Sequence, residues 1–123
     1  MTFVEISIGA VLGANLRYVL GGWIADWLGA AFPFGTLIIN LSGSFIIGVV
    51  LTLVVDRALG PSWVRPMIAI GFLGSYTTFS TFSYETLGLM QSGSYAAALV
   101  NVSASIAGAL VGVYLGAVVA RAV

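Results

Sequence analysis

A hydroxyl-rich stretch lies inside an apolar part of the chain, at residues 71–86, which read GFLGSYTTFSTFSYET. Its serines and threonines surround two phenylalanines three residues apart, Phe79 and Phe82. Oxygen atoms are the preferred ligands of hard cations, hydroxyl groups donate to anions, and a phenylalanine ring has a positive edge. The stretch therefore carries groups that bind a small ion of either sign. The competing interpretation is that both rings simply face lipid or the helix core.

Three further polar residues interrupt apolar segments. Asn40 is followed four residues later by Ser44, and Asn101 by Ser105, so each pair shares one face of a helix. Arg17 lies in the first apolar run. A polar side chain at membrane depth is costly unless it has a partner or faces a wet cavity. Asn40 is thus an interhelical hydrogen-bonding residue or an ion ligand, and Arg17 either extends to the interface or draws anions to a pore mouth.

The composition places the chain in a membrane. Of its 123 residues, 60% are hydrophobic and 7% are charged, and the mean hydropathy is +1.13, far above that of soluble domains. Histidine and cysteine are absent, which removes imidazole bases and thiol chemistry and predicts a protein that is not an enzyme. The net charge is zero, so we expect no nucleic-acid partner, and the lipid bilayer is the main partner that composition predicts.

Four apolar runs, at residues 3–27, 34–55, 63–91 and 95–119, are each long enough to cross about 30 Å of hydrocarbon as a helix. They predict an all-α integral membrane protein whose residues 1–123 form a single transmembrane domain. Glycines at helical spacing in the first and fourth runs predict close helix packing. The third run is too long for one straight crossing, and we expect a break near residues 74–78. Carbonyls freed by such a break are tolerated where they line a cavity and are good ligands for Na⁺.

The charges near the helix ends predict an orientation. Arg57, Arg65 and Arg121 fall on the side of the N-terminus, whereas the opposite loops carry Asp26 and no arginine. The positive-inside rule then places the N-terminus in the cytoplasm.

The run GFLGSYTTFSTFSYE, with NLSGSF at residues 40–45 and GAVLGANLRY at residues 9–18, resembles the Fluc or CrcB-type fluoride channels. The resemblance extends over all four helices. It implies an antiparallel dimer in the plasma membrane that exports fluoride passively from the cytoplasm and relieves fluoride toxicity. It also implies fluoride pores lined by Asn40, Phe79 and Phe82, and one structural Na⁺ on the dimer axis, held by the carbonyls of Gly74 and Thr77 from both chains.

The remaining candidate residues extend this pore. Hydroxyl donors are available at Ser80, Thr81 and Ser83, and the fourth helix adds Asn101 and Ser105. Arg17 is expected at the pore entrance. Glu85 is the one acidic residue of the stretch, and we expect it to form a hydrogen bond near a pore end.

The sequence leaves open the identity of the second subunit, and two other classes of membrane protein compete with the channel. Because the arginines favour one orientation, the second subunit is either the same chain inserted the other way or an oppositely oriented paralogue. A small four-helix drug or cation exporter would require a carboxylate deep in the first helix, and Glu5 lies too close to the terminus. A non-transporting assembly subunit would leave the interrupted third run unexplained.

Overall fold

The computed structural model describes residues 1–123 and contains helices without any strand. Helix α1 is Thr2–Leu28 and α2 is Phe34–Leu51, which continues in π-helical geometry over Thr52–Asp56. Helix α3 comprises the π-helical segment Arg65–Leu73 and the α-helical turn Gly74–Tyr76. Helices α4 and α5 are Phe79–Gln91 and Tyr95–Ala122.

Three of these helical segments have the length and apolar composition needed to cross a membrane: Thr2–Leu28, Phe34–Asp56 and Tyr95–Ala122. Only 18 of the 123 residues are buried, so most apolar side chains lie on the outside of the helix bundle. Such a surface is stable in lipid or against another apolar surface, and not in water. The predicted all-α architecture with long apolar helices, as in a membrane protein, is confirmed.

Glycines set the distances between neighbouring helices. Gly9 of α1 lies against the backbone of Met67, and Gly13 lies against that of Phe72, so α1 packs directly on α3. On the other side of the molecule, Gly116 of α5 lies against the backbone of Phe45 in α2. A side chain at any of these positions would push two helix axes apart. Both helix pairs are therefore held at backbone contact, as the glycine spacing predicted.

The chain is extended between α3 and α4. Thr77 has φ −80° and ψ 156°, and Thr78 has φ −150° and ψ 116°. Gly74 keeps helical dihedral angles of φ −63° and ψ −30°. The extended segment is thus two residues long, and it is shorter than the predicted range of residues 74–78 because Gly74 remains in the last turn of α3.

Candidate functional site

The extended segment is held by the side chain of Asn40 in α2. The Thr78 N–H donates to Asn40 Oδ1 at 2.8 Å, and Asn40 Nδ2 donates to the Thr78 carbonyl at 3.0 Å. One side-chain amide therefore satisfies both backbone groups of a residue that has left the helix. An amide nitrogen has two N–H donors, so Asn40 keeps one for a further acceptor.

These contacts change the partners of two carbonyls. In a continuous α-helix the Thr78 N–H would donate to the Gly74 carbonyl, and the Thr81 N–H to the Thr77 carbonyl. Here Thr78 donates to Asn40, and the Thr81 N–H donates to Thr78 Oγ1 at 3.3 Å. The carbonyls of Gly74 and Thr77 thus lose their α-helical donors, and these are the two oxygens that the resemblance assigned to Na⁺.

A cavity of about 400 Å³ lies beside the extended segment. Asn40, Phe79, Phe82 and Ser105 all line it, although they come from three different helices. The ring centroids of Phe79 and Phe82 are 5.5 Å apart at an interplanar angle of 49°. Phe82 is 7% exposed, whereas Phe79 is 77% exposed. The two rings therefore line the cavity together, and the Phe79 ring lies largely on the outer surface of the chain.

A second, open cavity of about 920 Å³ lies between α1, α2 and α4, and we call it the vestibule. Arg17, Thr36, Thr81 and Glu85 are among its lining residues. The Thr36 hydroxyl donates to Glu85 Oε1 at 2.6 Å, which is the hydrogen bond expected for this carboxylate. Arg17 forms no ion pair, and its buried Nε has no hydrogen-bond partner. The vestibule is thus lined by Arg17 together with the carboxylates of Asp26 and Glu85, and neither carboxylate pairs with the arginine.

The three predicted hydroxyl donors of α4 lie in different surroundings. Thr81 lines the vestibule and accepts a hydrogen bond from Thr78 Oγ1 at 3.0 Å, so its own proton remains available. Ser80 and Ser83 are exposed and line neither cavity. Ser83 donates to the Phe79 carbonyl at 2.9 Å within its own helix. The single chain thus brings Thr81 to the candidate site and leaves the two serines on its outer surface.

Asn101 and Ser105 of α5 also lie in different surroundings. Asn101 is 2% exposed and lines neither cavity. Its Nδ2 donates to Thr86 Oγ1 at 3.0 Å, and its Oδ1 is 3.5 Å from Ser105 Oγ, the donor. Ser105 lines the smaller cavity. Asn101 therefore supports that wall from behind, and Ser105 is the one of the two that lines the cavity.

The chain is similar in sequence to known proteins. A family model described as CrcB-like protein, Camphor Resistance (CrcB), matches residues 4–117. The chain belongs to this CrcB-like family. It is 47% identical over 121 residues to a protein of Magnetococcus marinus, and 49% identical over 121 residues to one of Roseiflexus sp.; each alignment covers 98% of both chains. A relative from Geobacter metallireducens is 43% identical over the same length, with the same coverage.

All three relatives are named fluoride-specific ion channel FluC. Membership of the CrcB-like family confirms the resemblance drawn from the motifs. The names describe ion channels and not enzymes, which agrees with the expectation from a chain without histidine or cysteine.

Sequence reasoning missed three residues that shape the site of this CrcB-like chain. Thr78 caps the start of α4 by accepting from the Thr81 N–H, and a threonine directly before a helix is a signal for such a cap. Thr36 holds Glu85, but no local pattern reveals a contact across 49 residues. Gly43 is buried against Tyr76 and Thr77, and its place in the NLSGSF motif gave no indication of that neighbour.

Proposed function

We propose that this protein is a passive fluoride channel of the cell membrane that lets fluoride leave the cytoplasm along its gradient. The observation that carries this proposal is the convergence of Asn40, Phe79, Phe82 and Ser105 on one cavity beside the extended segment. Relatives at 43–49% identity named as fluoride-specific channels support the choice of ion.

The cavity supplies replacements for the water around a small anion. The free N–H of Asn40 donates to it, and the ring edges of Phe79 and Phe82 present positive charge without competing acceptors. Ser105 lines the same wall, with its hydroxyl donating to Asn101 Oδ1. No carboxylate lines this cavity, so an anion meets no fixed negative charge there. In the vestibule Arg17 forms no ion pair and presents a positive charge to an entering anion, beside the carboxylates of Asp26 and Glu85.

The complete channel requires a second subunit in the opposite orientation, either the same chain or an oppositely oriented paralogue. In this arrangement α3 and α4 together form one membrane span that is broken at mid-membrane. The carbonyls of Gly74 and Thr77 from both subunits hold one structural Na⁺. Two observations support the site: both carbonyls have lost their α-helical donors, and Gly74 is exposed. Two oxygens from each of two chains give four hard ligands, whereas one chain alone leaves the ion half coordinated.

The uncoupled character of transport is tested with the purified protein in liposomes loaded with fluoride. We expect fluoride efflux to follow the fluoride gradient and to stay unchanged, within about twofold, when proton or Na⁺ gradients of either sign are imposed, because neither ion has to cross the membrane with fluoride. A fluoride electrode measures the efflux. Efflux that reverses with the proton gradient would contradict the channel and favour an exchanger.

Replacing Asn40 is expected to lower fluoride flux more than replacing a residue that only packs between helices. Asn40→Ala leaves the N–H and carbonyl of Thr78 without partners and removes the free donor, so we expect flux to fall about tenfold or more. Asn40→Asp keeps an acceptor for the Thr78 N–H but adds negative charge to the cavity, so its flux should be at least as low.

The matched control for these variants is Asn15→Ala, because Asn15 is exposed and its side chain bonds only to the Val11 carbonyl of its own helix. This control should conduct as the wild type does. Normal flux in both Asn40 variants would reduce Asn40 to a helix-packing residue.

A further inference from the structure

The extended segment has a second contact with α2, one turn beyond Asn40. Gly43 is buried, and a Cβ at this position would meet the methyl group of Thr77 and lie 3.2 Å from Tyr76 Cδ1. The neighbouring Ser42 hydroxyl is 3.0 Å from the Tyr76 hydroxyl. Residues 40 and 43 lie on the same face of α2, since they are three apart in a helix. This face of α2 therefore contacts residues 76–78 directly.

The orientation of the Thr77 side chain is fixed by its hydroxyl. Thr77 Oγ1 donates to the Leu73 carbonyl at 2.9 Å. A threonine has few χ1 choices, so this hydrogen bond determines where the methyl group points. The methyl group lies over Gly43, and rotating it away would break the bond to Leu73. The contact between Gly43 and Thr77 is consequently a rigid one.

Gly43 differs from the other closely packed glycines in what it touches. Gly13 lies against the backbone of Phe72, which belongs to a helix, and Gly48 lies against the backbone of Val113 in another. Gly43 instead meets a side chain of the two-residue segment that is not helical. A change at Gly43 therefore moves the extended segment before it moves a helix axis.

We propose that Gly43 is a positioning residue for ion passage: the absence of its side chain fixes the depth at which Thr77 sits against α2. That depth sets the position of the Thr77 carbonyl and the distance of Thr78 from Asn40. The inference rests on the proposed channel function for its flux readout, but the placement of the segment is measured independently of it.

The test is a double-mutant cycle of Gly43→Ala and Thr77→Ser. Gly43→Ala inserts a methyl group against the Thr77 methyl, so we expect fluoride flux to fall about fivefold or more, because overpacking shifts the backbone of the extended segment. Thr77→Ser removes only the methyl group and keeps the hydroxyl bond, so its own flux is the reference against which the double variant is compared. The double variant should recover to within about threefold of Thr77→Ser, because the two changes compensate in volume.

Amide hydrogen exchange at Thr78 gives the second readout. Its N–H is bonded to Asn40 Oδ1, so Gly43→Ala should accelerate its exchange and the double variant should restore protection. The control Gly22→Ala adds a methyl group where a Cβ meets no atom within 4 Å, and it should leave the exchange of the Thr78 amide unchanged.

Two results would overturn the inference: wild-type exchange and flux in Gly43→Ala, or a double variant as impaired as Gly43→Ala. If Gly43→Ala fails to fold, recovery of a monodisperse protein by Thr77→Ser supports the contact, and failure of the double variant contradicts it. If the wild type itself passes no fluoride, the proposed function falls, while the exchange data at Thr78 still decide the role of Gly43.

Discussion

Replacing both Phe79 and Phe82 by isoleucine is expected to lower fluoride flux by about tenfold or more, with the helical fold retained. Isoleucine keeps the apolar character of each site but has no polarised ring edge to contact an anion. Phe79 is largely exposed in the single chain, so its replacement should affect stability less than that of the buried Phe82. Flux is measured in liposomes, and the fold by circular dichroism and gel filtration.

Phe3→Ile is the matched control, since Phe3 is 86% exposed near the N-terminus and far along α1 from the cavity. It should conduct as the wild type does. If the double variant also conducts normally as a well-folded protein, the two rings only fill space, and the proposed anion path does not run past them.

Gly74→Val is expected to prevent stable dimerisation and to abolish flux, while the single subunit still folds. In the subunit, a Cβ at Gly74 would meet nothing closer than the Ala69 carbonyl at 3.9 Å, so the chain itself tolerates a side chain there. A second subunit that brings its own carbonyls to the same Na⁺ would not tolerate it. Removal of Na⁺ should have the same effect, because an ion that binds only the dimer stabilises it by mass action.

Dimer dissociation measured in detergent, with Na⁺ present or replaced by a large organic cation, separates these effects. We expect the wild type to dissociate about tenfold more readily without Na⁺ and Gly74→Val to respond little to Na⁺. Gly88→Val is the matched control, because Gly88 is also a helical glycine, in α4, and no atom lies near its Cβ position. A wild-type dimer of equal stability in Na⁺-free buffer would remove the proposed cation site.

Much of the architecture follows from the sequence, because apolar run length alone separates membrane helices from other elements. The bounds of α1, α2 and α5 lie close to the predicted runs. The position of the extended segment was less accurate. Glycine suggested Gly74 as the point of departure, but the departure is fixed at Thr78 by Asn40, which is 38 residues away. Such a contact leaves no periodic signal in the chain.

The candidate site was predicted as a set of residue types rather than as a surface. The sequence identified three hydroxyl donors of α4, yet it could not tell that Ser80 and Ser83 face outwards while Thr81 faces the vestibule. The direction of a short helix depends on how the preceding segment is held, and here the holding groups belong to α2. The sequence predicted Asn40 as an interhelical hydrogen-bonding residue or an ion ligand, and it did not identify the backbone of Thr78 as the partner of its hydrogen bonds.

Efflux of fluoride and of chloride from the same liposomes tests the central claim most directly. Vesicles with the purified protein are loaded with equal concentrations of both anions, and the external solution is replaced by an impermeant anion with an ionophore to balance charge. The proposed function predicts rapid fluoride efflux, with chloride efflux equal to that of protein-free vesicles. Equal release of the two anions, or no fluoride release above that of protein-free vesicles, would contradict the account.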